Sequence, residues 1–235
     1  MRLIRLPLLL VLVLSLAACG ADDEPEASGT VGATTEAPAD TGGATTGAAA
    51  GSEGCETVEA PTPKQDGGQT APTGSLDSGT TYELVVETSC GDFTITLDPE
   101  LAPKTTASLV ALAESGFYDD TTFHRVVPGF VIQGGDPTGT GTGGPGYATV
   151  DAPPGNTQYT DGTVAMAKSA AEPAGSSGSQ FFVVTAPDAG LPPDYAVVGT
   201  VTDGMESVRA IEALGAGDGP PTQPVVIEKV TVEES

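Results

Sequence analysis

The stretch Phe123-His124-Arg125-Val126-Val127-Pro128-Gly129-Phe130-Val131-Ile132-Gln133-Gly134-Gly135, FHRVVPGFVIQGG, holds the only histidine of the chain and one of only two arginines beyond residue 80. Its apolar runs, Thr122 to Val127 and Phe130 to Gln133, read as a strand pair. Counting by twos places Phe123 and Arg125 on one face of the first strand and His124 on the other. On the second, Phe130 and Ile132 alternate with Val131 and Gln133. A lone arginine beside a strand is most often a surface ion-pair partner. Two scarce cations inside an apolar pair of a strongly acidic chain therefore need a reason.

The texture around this pair is that of an all-β domain, with short apolar or alternating runs between turn residues from Tyr82 onward. Tyr82 to Thr88 and Phe93 to Leu97 form a hairpin around Cys90-Gly91. Further runs are Thr163 to Ala167, Gln180 to Thr185, Ala196 to Val201 and Val225 to Val232. Two segments break the period. Pro103 opens a helix at a position where its missing N–H is no loss, and Ala107, Val110, Leu112 and Ala113 follow before Gly116. Farther on, Asp203 and Glu206 have capping-box spacing ahead of the stripe Met205, Val208, Ile211 and Leu214, which stops at Gly215. The expected fold is mainly β, a closed eight-stranded antiparallel barrel whose ends are capped by two helices, since closure removes exposed sheet edges.

Composition narrows the chemistry. The 235 residues carry 32 acids against 8 bases, a formal net charge of -24. Nucleic acid is excluded, because a phosphate backbone is bound through clustered lysine and arginine. Gly139-Thr140-Gly141-Thr142-Gly143-Gly144 has the glycine spacing of a dinucleotide fingerprint, but Pro145 and Gly146 follow and no helix opens there to receive a phosphate, so it reads as a loop. One histidine without clustered cysteines supplies neither a hydrolytic triad nor a zinc site. No metal or cofactor is expected.

The amino-terminal part sets the compartment. Arg2 and Arg5, then the apolar run Leu6 to Leu16, then Leu16-Ala17-Ala18-Cys19 read as a secretory signal over residues 1–18. The cysteine placed after Leu-Ala-Ala resembles a bacterial lipobox. That resemblance implies cleavage before Cys19, its acylation, and an extracytoplasmic chain anchored to the outer face of the cytoplasmic membrane. Residues 19–54, rich in Gly, Ala, Thr, Pro and acids, cannot bury enough surface to order themselves and read as a tether. In an oxidising compartment the remaining pair, Cys55 and Cys90, is expected to be bridged, which would tie the extended segment 55–80 to the domain over 81–235.

FHRVVPGFVIQGGD, followed by Val164-Ala165-Met166-Ala167 and by Gly178-Ser179-Gln180-Phe181-Phe182-Val183, resembles the cyclophilin family of peptidyl-prolyl cis-trans isomerases. Leu101-Ala102-Pro103-Lys104-Thr105, before the first helix, adds to the likeness. The resemblance implies an eight-stranded barrel with two helices, and a role for each site residue. Arg125 would point at the nitrogen of a substrate prolyl bond, with Gln133 assisting. Phe130, Val131, Phe182 and Leu191 would hold the proline ring. Gln180 would line the groove, and the main chain of Ala167 and Lys168 would hold the flanking peptide. His124 would border the site, and Tyr195 stands where many members carry histidine. Gly190 in place of a tryptophan opens one side of the pocket, which argues against strong cyclosporin binding. The implied partners are proline-containing segments of exported proteins, acted on by a monomer. The rival readings are a proline-peptide chaperone module with little turnover and a purely structural envelope lipoprotein.

Overall fold

The computed structural model describes residues 54–235. The expected signal peptide, Cys19 and nearly all of the expected tether lie outside the described residues. Within them the chain runs β1 (Tyr82–Thr88), β2 (Phe93–Leu97), α1 (Pro103–Glu114), β3 (Thr121–Thr122), β4 (Arg125–Val127), β5 (Val131–Gly134), β6 (Thr149–Val150), β7 (Thr163–Met166), β8 (Ser176–Ser177), β9 (Phe181–Val184), β10 (Val197–Asp203), α2 (Met205–Glu212) and β11 (Val226–Glu234). Nine strands form one curled antiparallel sheet in the order β3-β11-β1-β2-β10-β7-β9-β5-β4, while β6 and β8 pair separately.

Period-two alternation divides this sheet into two apolar faces. In β9, Phe181 and Val183 point into the main core, whereas Phe182 and Val184 belong to a second cluster on the other face. β7 repeats the pattern, with Val164 and Met166 inward and Ala165 outward. Burying one such side chain stabilises the fold by about 1.5–3 kcal/mol. Register then aligns the outer face into a row: Arg125 lies opposite Gln133, Gln133 opposite Phe182, Phe182 opposite Ala165, and Ala165 opposite Val197. α1 packs against β11 and β6, and α2 against β2, β4 and β5, so both helices leave this row uncovered.

The expected closed barrel is instead an open, strongly curled half-barrel. The run Thr122 to Val127 does not form one strand but breaks at Phe123-His124. The resulting pieces, β3 and β4, are the two ends of the sheet and do not pair with each other. They follow one another with only two residues between them, so neither can fold back along the other. The gap is crossed by single bonds to the segment 219–225, from Phe123 N–H to Val225 O (3.0 Å) and from Val126 N–H to Gly219 O (2.8 Å). The break also overturns the shared face of Phe123 and Arg125. Phe123 enters the core at 1% exposure, and Arg125 stays outside.

The helix starts differ from expectation as well. Asp203 is the last residue of β10 and does not cap α2; the N-cap position is taken by Gly204, which has φ +74 and offers no side-chain cap bond. Glycine is needed there because a Cβ would collide with Asp92 O and the Phe93 backbone, as well as being strained by the positive φ. α1 does start with Pro103, but its cap comes from far along the chain: Asp151 Oδ2 accepts from the N–H of Lys104 (3.0 Å) and of Thr105 (2.7 Å).

Residues 55–80 lie along the domain as an extended strap, and Cys55 is bridged to Cys90 as expected. Glu56 N–H donates to Ser89 O (2.7 Å) beside the bridge. Closing a loop of 35 residues removes denatured-state entropy worth about 4 kcal/mol at most. Reductant, or Cys55→Ser, is therefore expected to lower unfolding stability by about 2–4 kcal/mol in urea titrations. An unchanged midpoint under reducing conditions would count against this role.

Candidate active site

A cavity of about 280 Å³ opens on the outer face of the sheet, over the cross-strand row. Arg125, Phe130, Val131, Gln133, Ala167, Lys168, Phe182, Leu191 and Tyr195 line it. Nine of the residues singled out in the sequence thus meet around one space. Gln180 lines a larger neighbouring cavity of about 760 Å³ that shares Gln133, Ala167 and Lys168 with the first. His124 lines neither; its Nε2 lies 3.5 Å from Gln133 Nε2, and its Nδ1 is buried without a hydrogen-bond partner among the described residues. Burial is the main cause that lowers the His124 pKa below its ordinary value, so the ring is neutral at physiological pH.

Polar groups at the rim form one chain. Arg125 Nη1 donates to Gln133 Oε1 (3.2 Å), Gln133 Nε2 to Gln180 Oε1 (3.0 Å), and Gln180 Nε2 to Gly143 O (2.9 Å). On its other side Arg125 grips Asp218 through both carboxylate oxygens, Nε to Oδ1 at 2.6 Å and Nη2 to Oδ2 at 3.1 Å. The guanidinium also lies over the Phe130 ring, with Cζ 5.8 Å from its centroid. Of the five N–H groups on a guanidinium, these bonds occupy three. One N–H on each terminal nitrogen remains for a ligand.

Sequence reasoning missed Asp218. It lies 93 residues from its partner, and its only local signal is an acid within a Gly-Asp-Gly-Pro turn. The hydrogen bond from Arg125 is the leading cause that holds its carboxyl below the usual range, so it stays ionised. A bidentate partner fixes the plane of the guanidinium. Asp218→Ala is expected to lower kcat about three- to tenfold with little change in KM, and Asp218→Asn, keeping one acceptor, to fall between. A steady-state comparison checks this, and unaltered kcat in Asp218→Ala would remove Asp218 from the machinery.

The apolar floor rests on Tyr159, also unrecognised in the sequence and fully buried. Its hydroxyl donates to Tyr195 O (2.7 Å) and accepts from Tyr195 N–H (3.0 Å), while its ring packs near Phe182 and edge-on to Tyr195. Lys168 lies over the Tyr195 ring and pairs with Asp194 at 2.6 Å, so its ammonium is tied to the rim of the cavity that it helps to line. Ala167 N–H is donated to Gln180 O (2.9 Å), so its carbonyl is the main-chain group it can offer a peptide. Gly190 has φ +63 and open space where a Cβ would lie.

Two further networks hold the edges. The glycine loop after β5 is wound around Asp136, which is fully buried and accepts from Thr138 N–H (2.7 Å), Thr138 Oγ1 (2.8 Å), Gly141 N–H (2.6 Å) and Gly143 N–H (3.1 Å). Burial opposes its ionisation, yet these donors outweigh that cost and the carboxyl sits below its ordinary value. Across the cavity, Arg209, the other late arginine, donates to Thr185 O (2.6 Å), Asp161 and Glu212. Glu212 in turn accepts from Gly129 N–H (2.7 Å), and Thr185 N–H donates to Phe130 O (2.9 Å). The turn carrying Phe130 is thereby pinned at both ends.

A curled antiparallel half-barrel with two helices, and an arginine and glutamine facing an apolar cavity, is the arrangement that comparison with known proteins places. The sequence model of the family described as cyclophilin type peptidyl-prolyl cis-trans isomerase/CLD matches residues 83–232. The probable peptidyl-prolyl cis-trans isomerase A of Mycobacterium bovis is 41% identical over 171 residues, covering 65% of this chain and 92% of its own length. Peptidyl-prolyl cis-trans isomerase B of Bacillus subtilis is 49% identical over 114 residues, 48% of this chain and 78% of its own. A solved cyclophilin-type isomerase of Cryptosporidium parvum superposes with a TM-score of 0.60 at 31% identity, covering 65% of this chain and 98% of its own. A second crystal structure of that protein, in the presence of the dipeptide Ala-Pro, gives 0.59. The chain belongs to the cyclophilin family, and it is an enzyme of the peptidyl-prolyl cis-trans isomerase class.

Proposed function

We propose that this enzyme accelerates rotation about X-Pro bonds in exported proteins, acting as a monomer tethered through acylated Cys19 to the outer face of the cytoplasmic membrane. One observation carries the mechanism: among the described residues two N–H groups of Arg125 are left over beside a cavity of about 280 Å³ that Phe130, Val131, Phe182 and Leu191 help to line. An amide resists rotation because its nitrogen shares a lone pair with the carbonyl, giving a barrier of about 18–20 kcal/mol. X-Pro bonds populate both isomers but exchange over tens of seconds or longer. In the twisted transition state the lone pair returns to nitrogen, which becomes an acceptor that the planar ground state hardly offers. A guanidinium placed there binds the transition state preferentially, and only such differential binding raises the rate. Phe130, Val131, Phe182, Leu191 and Tyr195 would grip the ring and exclude water. The Ala-Pro dipeptide present with the Cryptosporidium relative fits this reading of the cavity.

Exchange NMR on an X-Pro peptide tests the activity directly; peptide binding without faster exchange would replace the isomerase by a holding module. Because arginine keeps its proton and the His124 pKa is lowered, the rate should be nearly flat between about pH 6.5 and 8. A steep profile in that window would point to proton transfer and against this mechanism. Export and anchoring rest on Leu16-Ala17-Ala18-Cys19. Metabolic labelling with radioactive lipid should mark the wild type and not Cys19→Ser, and an unlabelled wild type would remove the anchor.

A further inference from the structure

The strap ahead of the family-matched residues is built onto the active-site face. Lys64 donates its backbone N–H to Pro137 O (2.8 Å) and its ammonium to Gly116 O and Phe117 O (3.1 Å each), just past the end of α1. Two residues on, Asp66 Oδ1 accepts from Gly144 N–H (2.8 Å), Gly67 N–H donates to Gly144 O (2.9 Å), and Gln69 N–H to Pro145 O (3.0 Å). The two backbones cross closely. A Cβ on Gly146, itself at φ +90, would press on Gly67 Cα at 3.1 Å and Gly68 N at 3.2 Å. The same Asp66 and Gly144 wall the cavity of about 760 Å³ that continues from the proline cavity across Gln133, Ala167 and Lys168.

We infer that the strap, bound along Gly144–Pro145 through residues 66–69, completes through Asp66 a wall of the groove that takes the residues flanking the substrate proline, with Asp66 as the positioning residue for Gly144. This rests on the cavity at Arg125 being the site of isomerisation. Gly143 is held separately by Asp136, and it is Gly143 O that holds Gln180. Loss of the Asp66 bond therefore loosens the outer wall at Gly144, which keeps only its backbone bonds to the strap, without releasing the chain from Gln180 through Gln133 to Arg125. The effect should depend on how far the peptide reaches.

The test uses the full chain and two X-Pro peptides, one extending several residues to both sides and one blocked immediately beside X-Pro. Asp66→Ala is expected to lose about five- to tenfold in kcat/KM on the long peptide, through KM, and to stay within about twofold on the short one. Asp66→Asn, which keeps an acceptor for Gly144 N–H, should recover most of the loss. An equal loss on both peptides, no loss on either, or an Asn variant as impaired as the Ala variant overturns the inference. Arg125→Ala in the same assay keeps the two readings apart. Its full activity would sink the assigned site, whereas its loss together with an unaffected Asp66→Ala would sink the strap alone.

Discussion

Arg125→Ala is expected to lower kcat by about 10²–10³ while the protein stays folded, the scale on which one oxyanion-type donor acts. The stability cost is small because the side chain is 30% exposed and its carboxylate partner 69%, so the ion pair is largely solvated. The rate cost is large because neither Gln133 nor His124 can replace it: the first is an amide already bonded to Arg125 and Gln180, and the second is neutral. Arg125→Lys should recover little. An ammonium lacks the planar fork that meets Asp218 and Gln133 together, so it cannot hold a donor still at the prolyl nitrogen. Exchange rates and thermal unfolding of the three proteins decide the matter. Full activity in Arg125→Ala would reassign the chemistry.

Asp136→Ala is expected to destabilise the fold by about 3 kcal/mol or more, the largest stability effect of a single polar change at this site. Three backbone N–H groups, that of Gly143 buried and those of Thr138 and Gly141 partly so, would lose their acceptor together with the Thr138 hydroxyl, and the cavity left by a fully buried carboxylate adds to the cost. Asp136→Asn keeps one acceptor but turns an amide toward donors, and about 2 kcal/mol is expected. Activity should fall as well, since Gly143 O would no longer hold Gln180. The acid limb gives a second readout. A carboxyl depressed in the fold contributes stability that is fully present above its unfolded value, near 3.8, and lost as pH falls through its lower folded value. The gap between wild type and Asp136→Asn should thus be constant from neutrality to about pH 5 and narrow below about pH 4. Equal stability at pH 7 would show that the buried carboxylate does not organise the loop.

What was legible in the sequence was what local pattern controls. The run Gln180 to Thr185 was legible as a strand, though its consecutive apolar residues do not tell core from groove, and the Cys55–Cys90 bridge followed from an even cysteine pair. What was not legible came from contacts remote in sequence. The break at Phe123-His124 is set by bonds to Val225 and Gly219, and no window around residue 123 contains them. Two-residue strands such as β6 and β8 are too short to carry a period. Asp218 and Tyr159 carry no local signal because their partners stand 93 and 36 positions away. The expected cap at Asp203 failed for a related reason: strand pairing with β2 keeps Asp203 extended, and Gly204 makes the turn.

The crossing of Gly67 and Gly146 bears on how such a chain can drift. A side chain at 146 would lever the strap away from the loop, and one at 67 would strain its left-handed backbone. Only the change at 146 presses on the other segment; at 67 a Cβ would lie in ordinary contact with Gly146, and the cost is that of the backbone alone. Among homologues glycine should accordingly be kept at both positions, and lineages that shed the strap should lose the close contact at the loop position but keep the left-handed backbone that favours glycine there.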